Sequence, residues 1–232
     1  MRAVMDIGTN STRLLIADYD RTTGRLQPLK RGLKITRIGE GMNEKNRVMS
    51  PRAMERTIAA LEEFAQIIFA YPVEKIQLVA TQAVREAANQ AELKERIMER
   101  LGWTLEVISG VEEARLSYRG AVQGLSAVRS PLVVDIGGGS TEFLVAQDDG
   151  AQGSNAAMEK DRRLQARSLP LGALRLLEHP LSDTALQRIL AQGLASFLIS
   201  SEAPLVVVGG TATTLAAVKL GLLSYDAEKV QG

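Results

Sequence analysis

The residues best suited to chemistry in this chain occur twice, in the same order. Near the start stands Val4-Met5-Asp6-Ile7-Gly8-Thr9-Asn10-Ser11-Thr12-Arg13-Leu14-Leu15-Ile16-Ala17, and later Val134-Asp135-Ile136-Gly137-Gly138-Gly139-Ser140-Thr141-Glu142-Phe143-Leu144-Val145-Ala146. With Asp6 laid on Asp135, the copies share Asp, Ile, Gly, Ser, Thr, Leu and Ala without a gap. Each reads as an apolar strand, an Asp-x-Gly, a small polar turn and a second apolar strand. Turns of Gly, Ser and Thr let backbone N–H groups approach an anion closely. An Asp at the strand end can hold a metal ion, often through water. Such a turn is also a common hairpin connection, but an aligned internal duplication is a signal in its own right. Thr9, Asn10, Ser11, Gly137, Gly138, Gly139 and Ser140 are therefore candidate phosphate ligands, two hairpins facing each other as a clamp.

A third glycine turn, Val206-Val207-Val208-Gly209-Gly210-Thr211, ends a buried strand and opens a helix. Gly210 and Thr211 put backbone donors and a positive helix end beside whatever sits there. Arg85 follows a strand in Thr81-Gln82-Ala83-Val84-Arg85-Glu86; it reads either as a bidentate phosphate ligand or as a surface ion pair with Glu86. Glu113 sits in the first turn of a helix, where it either complements the helix dipole or acts as a general base on water. His179 is the one histidine. It precedes Pro180 between two helices, so no Ser-His-Asp machinery is expected.

The elements that must position these residues follow from patterning. Strands are expected at 2–8, 12–19 and 26–38, as a meander. Ser50 caps a helix whose first residue is Pro51, with Ile58, Leu61, Phe64, Ala65 and Ile68 along one face. A strand at 75–80, a helix from 90 to 101 ending at Gly102, and a strand at 105–108 follow. Ser109 and Glu112 fit a capping box for a helix to about 123. Gly124–Pro131 reads as the domain junction, giving a first domain at 1–125 and a second at 126–232. The second repeats the order: strands at 132–136, 142–147 and 165–169, helices, a strand at 204–208 and a helix from 211. Asp148–Asp161 reads as a mobile hairpin loop, with Glu159–Arg163 a solvated tip. Meanders followed by alternating helices and strands imply an α/β protein with mixed sheets flanked by helices. The second half looks short; either the chain is part of a longer one or another chain finishes its sheet.

Composition narrows the class. The 232 residues are 45 % hydrophobic and 24 % charged, with only 4 % aromatics and a net charge of +1. The core must be aliphatic, and no global field argues for nucleic acid. Without cysteine, disulfides and thiol catalysis are excluded. No signal-peptide pattern opens the chain and no apolar stretch reaches membrane-spanning length, so a cytoplasmic protein with no membrane partner is expected.

Together these residues resemble the exopolyphosphatase/guanosine pentaphosphate phosphohydrolase (Ppx/GppA) family of the actin-like ATPase superfamily. Asp6–Ser11 and Asp135–Glu142 look like its two phosphate motifs. Thr81–Ala87 and Ile108-Ser109-Gly110-Val111-Glu112-Glu113-Ala114-Arg115 are more specific to this branch, and Leu169–Leu176 follows its pattern. The resemblance implies two ribonuclease-H-like domains, the second truncated, with the site in the cleft between them. It implies Glu113 as catalytic base, Arg85 as catalytic phosphate ligand, and Asp135 and Glu142 as metal-linked acids holding Mg²⁺. The implied reaction is hydrolysis of a terminal phosphoanhydride of polyphosphate or guanosine pentaphosphate (pppGpp), and a homodimer is one assembly open to it. An ATP-dependent phosphotransferase of the same superfamily and a non-catalytic nucleotide sensor are the rival readings.

Overall fold

In the computed structural model, which describes residues 1–20, 22, 26–43, 45–123, 125, 130–146, 164–197, 202–224 and 226–230, the opening apolar run becomes strand β1 (Arg2–Ile7). Alternation buries Ala3, Met5 and Ile7 on one face. Antiparallel β2 (Ser11–Tyr19) and β3 (Leu26–Ile35) complete a meander. Helix α1 (Pro51–Phe69) starts where the sequence places it: the Ser50 hydroxyl accepts from the Ala53 amide at 3.1 Å. Its face of Ile58, Leu61, Phe64, Ala65 and Ile68 is buried. Strand β4 (Lys75–Ala80) lies parallel to β1. Short helix α2 (Gln82–Glu86), helix α3 (Gln90–Leu101) and strand β5 (Leu105–Val107) follow, β5 parallel to β4. The sheet order is β3-β2-β1-β4-β5.

The third strand stops at Ile35, not at residue 38 as patterning suggests. The amides of Thr36 and Arg37 leave the ladder and donate to the Asn10 carbonyl, at 3.1 and 2.9 Å. The apolar residue that made 36–38 read as strand, Ile38, is buried in the core cluster below instead. A bond to the β1–β2 turn has overridden local propensity.

The second unit holds α4 (Gly110–Gln123), β6 (Leu132–Ile136), β7 (Thr141–Ala146), β8 (Leu164–Leu169), α5 (Ala173–Glu178), α6 (Asp183–Leu194), β9 (Leu205–Val208), α7 (Gly210–Lys219) and α8 (Ala227–Val230). Strand β7 is antiparallel to β6 and β9 is parallel to it, in the order β8-β7-β6-β9. This repeats β3-β2-β1-β4 of the first sheet, so the duplication read in the motif extends to the topology. Contacts divide the chain at Met1–Gly110 and Val111–Gly232. Helix α4, grouped with the first domain by sequence, buries Ala114 and Tyr118 against Val133, Leu144 and Ala146 of the second sheet. The expected junction lies mostly, and the loop at 148–161 with its charged tip at 159–163 wholly, outside the described residues.

The two units differ in how well they cover their apolar surface. The first has a continuous buried cluster running from Ala3 to Leu105. In the second, β9 is an edge strand of the described sheet with Leu205 62 % and Val207 41 % exposed, and α7 leaves Leu215 and Val218 open to solvent. Exposed edge amides open locally at low free-energy cost. Hydrogen exchange on the 232-residue chain is expected to protect β1 and β4 well and to exchange β9 and α7 faster. Equal protection in both units would contradict this.

Candidate active site

The two polar turns close in the same way. The Gly8 amide donates to the Ser11 carbonyl at 3.0 Å, and the Gly137 amide to the Ser140 carbonyl at 2.9 Å. What lies behind each turn also matches. In the first, the Thr9 carbonyl accepts from Gly39 at 3.1 Å and the Asn10 carbonyl from Thr36 and Arg37. In the second, the carbonyls of Gly137 and Gly138 accept from Ala173, Leu174 and Arg175, and the Gly139 carbonyl accepts from Arg175 Nε at 2.9 Å. Carbonyl oxygens repel an anion, so engaging them elsewhere makes each turn more hospitable to phosphate. Both backing segments need close approach. A Cβ on Gly39 would lie 2.6 Å from Thr9 Cγ2, and one on Gly172 would lie 2.4 Å from the Gly138 carbonyl.

In the first unit, Thr9, Asn10 and Ser11 are half-buried in this turn. Gly39 also faces Ala83 of α2, at 3.2 Å from an added Cβ, so one loop ties the turn to the helix that carries Arg85. Arg85 Nη1 donates to the Ile108 carbonyl at 2.9 Å, and Nη2 would lie 3.7 Å from a Cβ on Gly110. The guanidinium is thus held at the end of β5, just ahead of the helix bearing Glu113.

In the second unit three acidic residues converge. Asp135 and Glu142 are register partners across β6 and β7. Glu113 reaches the same place through α4. Ser117, one turn on and on the same helix face, donates its hydroxyl to Asp135 Oδ2 at 2.8 Å. Glu142 is buried, and Ser168 donates to its Oε1 at 2.7 Å. Burial pushes the Glu142 carboxyl up from its ordinary range; hydrogen bonds from Ser140 and Ser168 oppose this, and the Glu113 and Asp135 carboxylates reinforce it. The third glycine turn arrives at the same strand end: a Cβ on Gly209 would lie 2.5 Å from the Ile136 carbonyl and 3.0 Å from Asp135 Oδ1. Gly210 and Thr211, the first residues of α7, follow directly.

The copies diverge at one telling position. Opposite Asp6 stands exposed Arg13; opposite Asp135 stands buried Glu142. The first pair balances an acid with a base and the second sets two acids side by side, which suits a cation. Asp135 and Glu142 offer hard oxygens from neighbouring strands. Among the described residues no group of three His, Cys, Asp or Glu side chains forms a metal cage. One or two carboxylates are the protein ligands that magnesium ordinarily takes, the rest being water and substrate oxygens.

Ser117 and Ser168 lie outside the motifs read in the sequence, while Gly172 and Gly209 lie inside motifs read there without a role of their own. Ser117 was legible in principle, since its spacing from Glu113 puts both on one helix face. Ser168 and Gly172 meet their partners only through the β7–β8 pairing and the return of α5.

The fold and this pair of turns define a protein of the actin-like ATPase superfamily. The chain belongs to the Ppx/GppA phosphatase family, whose family model matches residues 15–232. It is 34 % identical to Exopolyphosphatase 2 of Mycobacterium tuberculosis, over 98 % of this chain and 73 % of that protein. The crystal structure of the Aquifex aeolicus family member is 32 % identical and superposes with a TM-score of 0.74, covering all of this chain and 73 % of that one. An exopolyphosphatase from Cytophaga hutchinsonii is 25 % identical with a TM-score of 0.78, over 98 % of this chain and 73 % of that one. Among the described residues no helix is long and apolar enough to cross a membrane.

The Glu142 environment makes a prediction with a definite sign. An acid whose pKa is higher in the folded chain binds its proton more tightly there. The folded state is therefore favoured at low pH, and stability is lost as pH rises from the ordinary carboxylate range through the raised value. Glu142→Gln keeps an acceptor for Ser168 and removes the buried charge. With divalent cations chelated, its thermal midpoint should exceed the parent's at pH 8, by on the order of 2–4 °C for each kcal/mol relieved. The gap should close towards pH 4. Added Mg²⁺ should raise the parent's midpoint and leave the variant's nearly unchanged. A variant less stable than the parent at pH 8 would show that the charge is not a burden.

Proposed function

We propose that the protein hydrolyses the terminal phosphoanhydride of inorganic polyphosphate, releasing orthophosphate. The observation that carries this is the convergence of Glu113, Asp135 and Glu142 beside a turn whose carbonyls are all engaged elsewhere. The similarity to Exopolyphosphatase 2 of M. tuberculosis supports polyphosphate as the substrate class.

The residues divide the work by their chemistry. In the second unit the Gly138 and Gly139 amides are the turn's donors to a phosphate, the Gly137 amide closing the turn and the Ser140 hydroxyl bonding Glu142; in the first unit Thr9–Ser11 and Arg85 are the phosphate ligands. Glu113 orients the attacking water and takes its proton. Asp135 and Glu142 would hold Mg²⁺, which supplies neutralisation of phosphate charge. Ser117 and Ser168 fix the orientation of these two carboxylates. Gly210 and Thr211 add helix N-terminal donors where the third turn meets Asp135.

The deciding experiment measures phosphate release from polyphosphate, pppGpp and ATP separately, each with Mg²⁺ and with chelator. Release from polyphosphate that needs Mg²⁺ is expected. Guanosine pentaphosphate has the same terminal bond and is the competing substrate; preferential release from it would reassign the specificity but not the mechanism. ADP formation that requires a second acceptor would favour the phosphotransferase reading. Tight nucleotide binding without turnover would favour a sensor.

A further inference from the structure

Arg37 adopts φ +46°, one of two non-glycine residues with positive φ among those described. An L-residue spends conformational energy there, and glycine would be the cheaper choice. The backbone is held in place from both sides. Its amide donates to the Asn10 carbonyl at 2.9 Å, and its carbonyl accepts from Arg56 Nη2 at 3.4 Å. Arg56 also donates Nε to the Thr36 carbonyl at 3.0 Å and pairs with Glu40 at 2.7 Å. The Thr36 hydroxyl meets the buried Thr12 hydroxyl at 2.9 Å. Strain that the surroundings over-determine in this way gathers at functional sites.

Backing a phosphate turn does not itself require this conformation. Counting back from Gly172, which backs the second turn as Gly39 backs the first, the place of Arg37 is taken by Pro170, with no positive φ. The strained arginine is therefore a property of the first turn alone. Its side chain is exposed, and among the described residues its guanidinium has no ion-pair or hydrogen-bond partner. By contrast Arg56 is committed to Glu40 and Arg100 to Glu55 and Glu62. The loop thus anchors an uncommitted guanidinium to the residue, Asn10, that forms the turn.

We propose that Arg37 is a substrate-contacting residue, binding a phosphate of the polyanion that lies against the Thr9–Ser11 turn. This rests on the polyphosphate reading above. A planar guanidinium binds phosphate oxygens bidentately, and an exposed one is worth a moderate factor in affinity.

The test compares the parent with Arg37→Gly, Arg37→Lys and Arg37→Gln, using medium-chain inorganic polyphosphate as the probe for both steady-state kinetics and direct binding. Glycine removes the guanidinium and suits the φ, so the thermal midpoint of R37G should equal or exceed the parent's. Its KM and dissociation constant should rise about five- to thirty-fold, by more than kcat falls, and R37K should recover part of the loss. Parent-like KM and binding in a stable R37G would overturn the inference while leaving the polyphosphate reading intact. Should R37G lose stability, R37Q decides between the outcomes by the same readouts. It keeps a long polar side chain in the same conformation without the charge, and unchanged affinity there overturns the inference as well. A parent protein that neither binds nor hydrolyses polyphosphate would defeat both readings, and would do so before any variant is compared.

Discussion

Replacing Glu113 by Gln should lower the rate of phosphate release from polyphosphate by about 10²–10⁴-fold, the worth of a general base, with little change in substrate affinity. The substitution keeps size and shape and removes only the proton acceptor. Glu113 stands a turn before Ser117, whose hydroxyl is bonded to Asp135, so the helix face is anchored independently of the carboxylate. Removing one of the three negative charges should also let Glu142 ionise more readily, since Glu113 helps to hold its carboxyl up. The variant should therefore fold at least as well as the parent at neutral pH. Binding by Glu113→Gln measured with polyphosphate, set beside single-turnover phosphate release, separates the two roles. Near-normal turnover in a folded variant would remove Glu113 from the mechanism. Loss of binding equal to the loss of rate would make it a ligand for substrate and not a base.

The parts of this site legible in the sequence are those whose partners are close in the chain. The Asp-x-Gly turns could be read because strand, turn and strand are contiguous, and a hairpin's register follows from its turn. The α1 cap at Ser50 was legible for the same reason. Glu113 and Arg85 were only candidates on position, because a first-turn glutamate and a strand-end arginine each have an ordinary structural role. What distinguishes Glu113 is its proximity to Asp135 and Glu142, which depends on α4 burying Ala114 and Tyr118 against the second sheet. That packing also groups α4 with the second unit. The linker-like composition lies after residue 123, whereas the contacts that group α4 with β6 and β7 are long-range.

The carbonyl bonds behind each turn were not legible at all. Apart from the Arg175 Nε bond to the Gly139 carbonyl, they are backbone to backbone, from Gly39 to Thr9 and from Ala173, Leu174 and Arg175 to Gly137 and Gly138, and no side-chain pattern encodes those. Their only trace in the sequence is a glycine, Gly39 or Gly172, at the point of closest approach. The early end of β3 has the same origin. Arg37 could not be singled out from sequence, since an arginine after a strand looks like any solvated charge until its φ is known.

Gly209→Ala should be among the most damaging single-methyl changes in the second unit. Gly209 has φ +98° and ψ 165°, a region open essentially to glycine alone, where other residues cost about 1–3 kcal/mol. The new Cβ would also lie 2.5 Å from the Ile136 carbonyl oxygen and 3.0 Å from Asp135 Oδ1, and relieving such a clash costs a further ~1–3 kcal/mol. Both atoms belong to the strand end that carries the acidic cluster, so the strain is relieved by moving β6 or the start of α7. Thermal stability and phosphate release should fall together, and Mg²⁺ should stabilise the variant less than the parent. Gly221→Ala is the matched control: φ is +64° and nothing lies within 4 Å of its added Cβ, so only the conformational cost of about 1 kcal/mol remains. If the two alanine variants lose the same stability and keep the same activity, the contact between the third glycine turn and Asp135 has no energetic weight. If Gly209→Ala loses activity at a stability equal to that of Gly221→Ala, the turn acts on the site directly by holding Asp135 and the first amides of α7 in place.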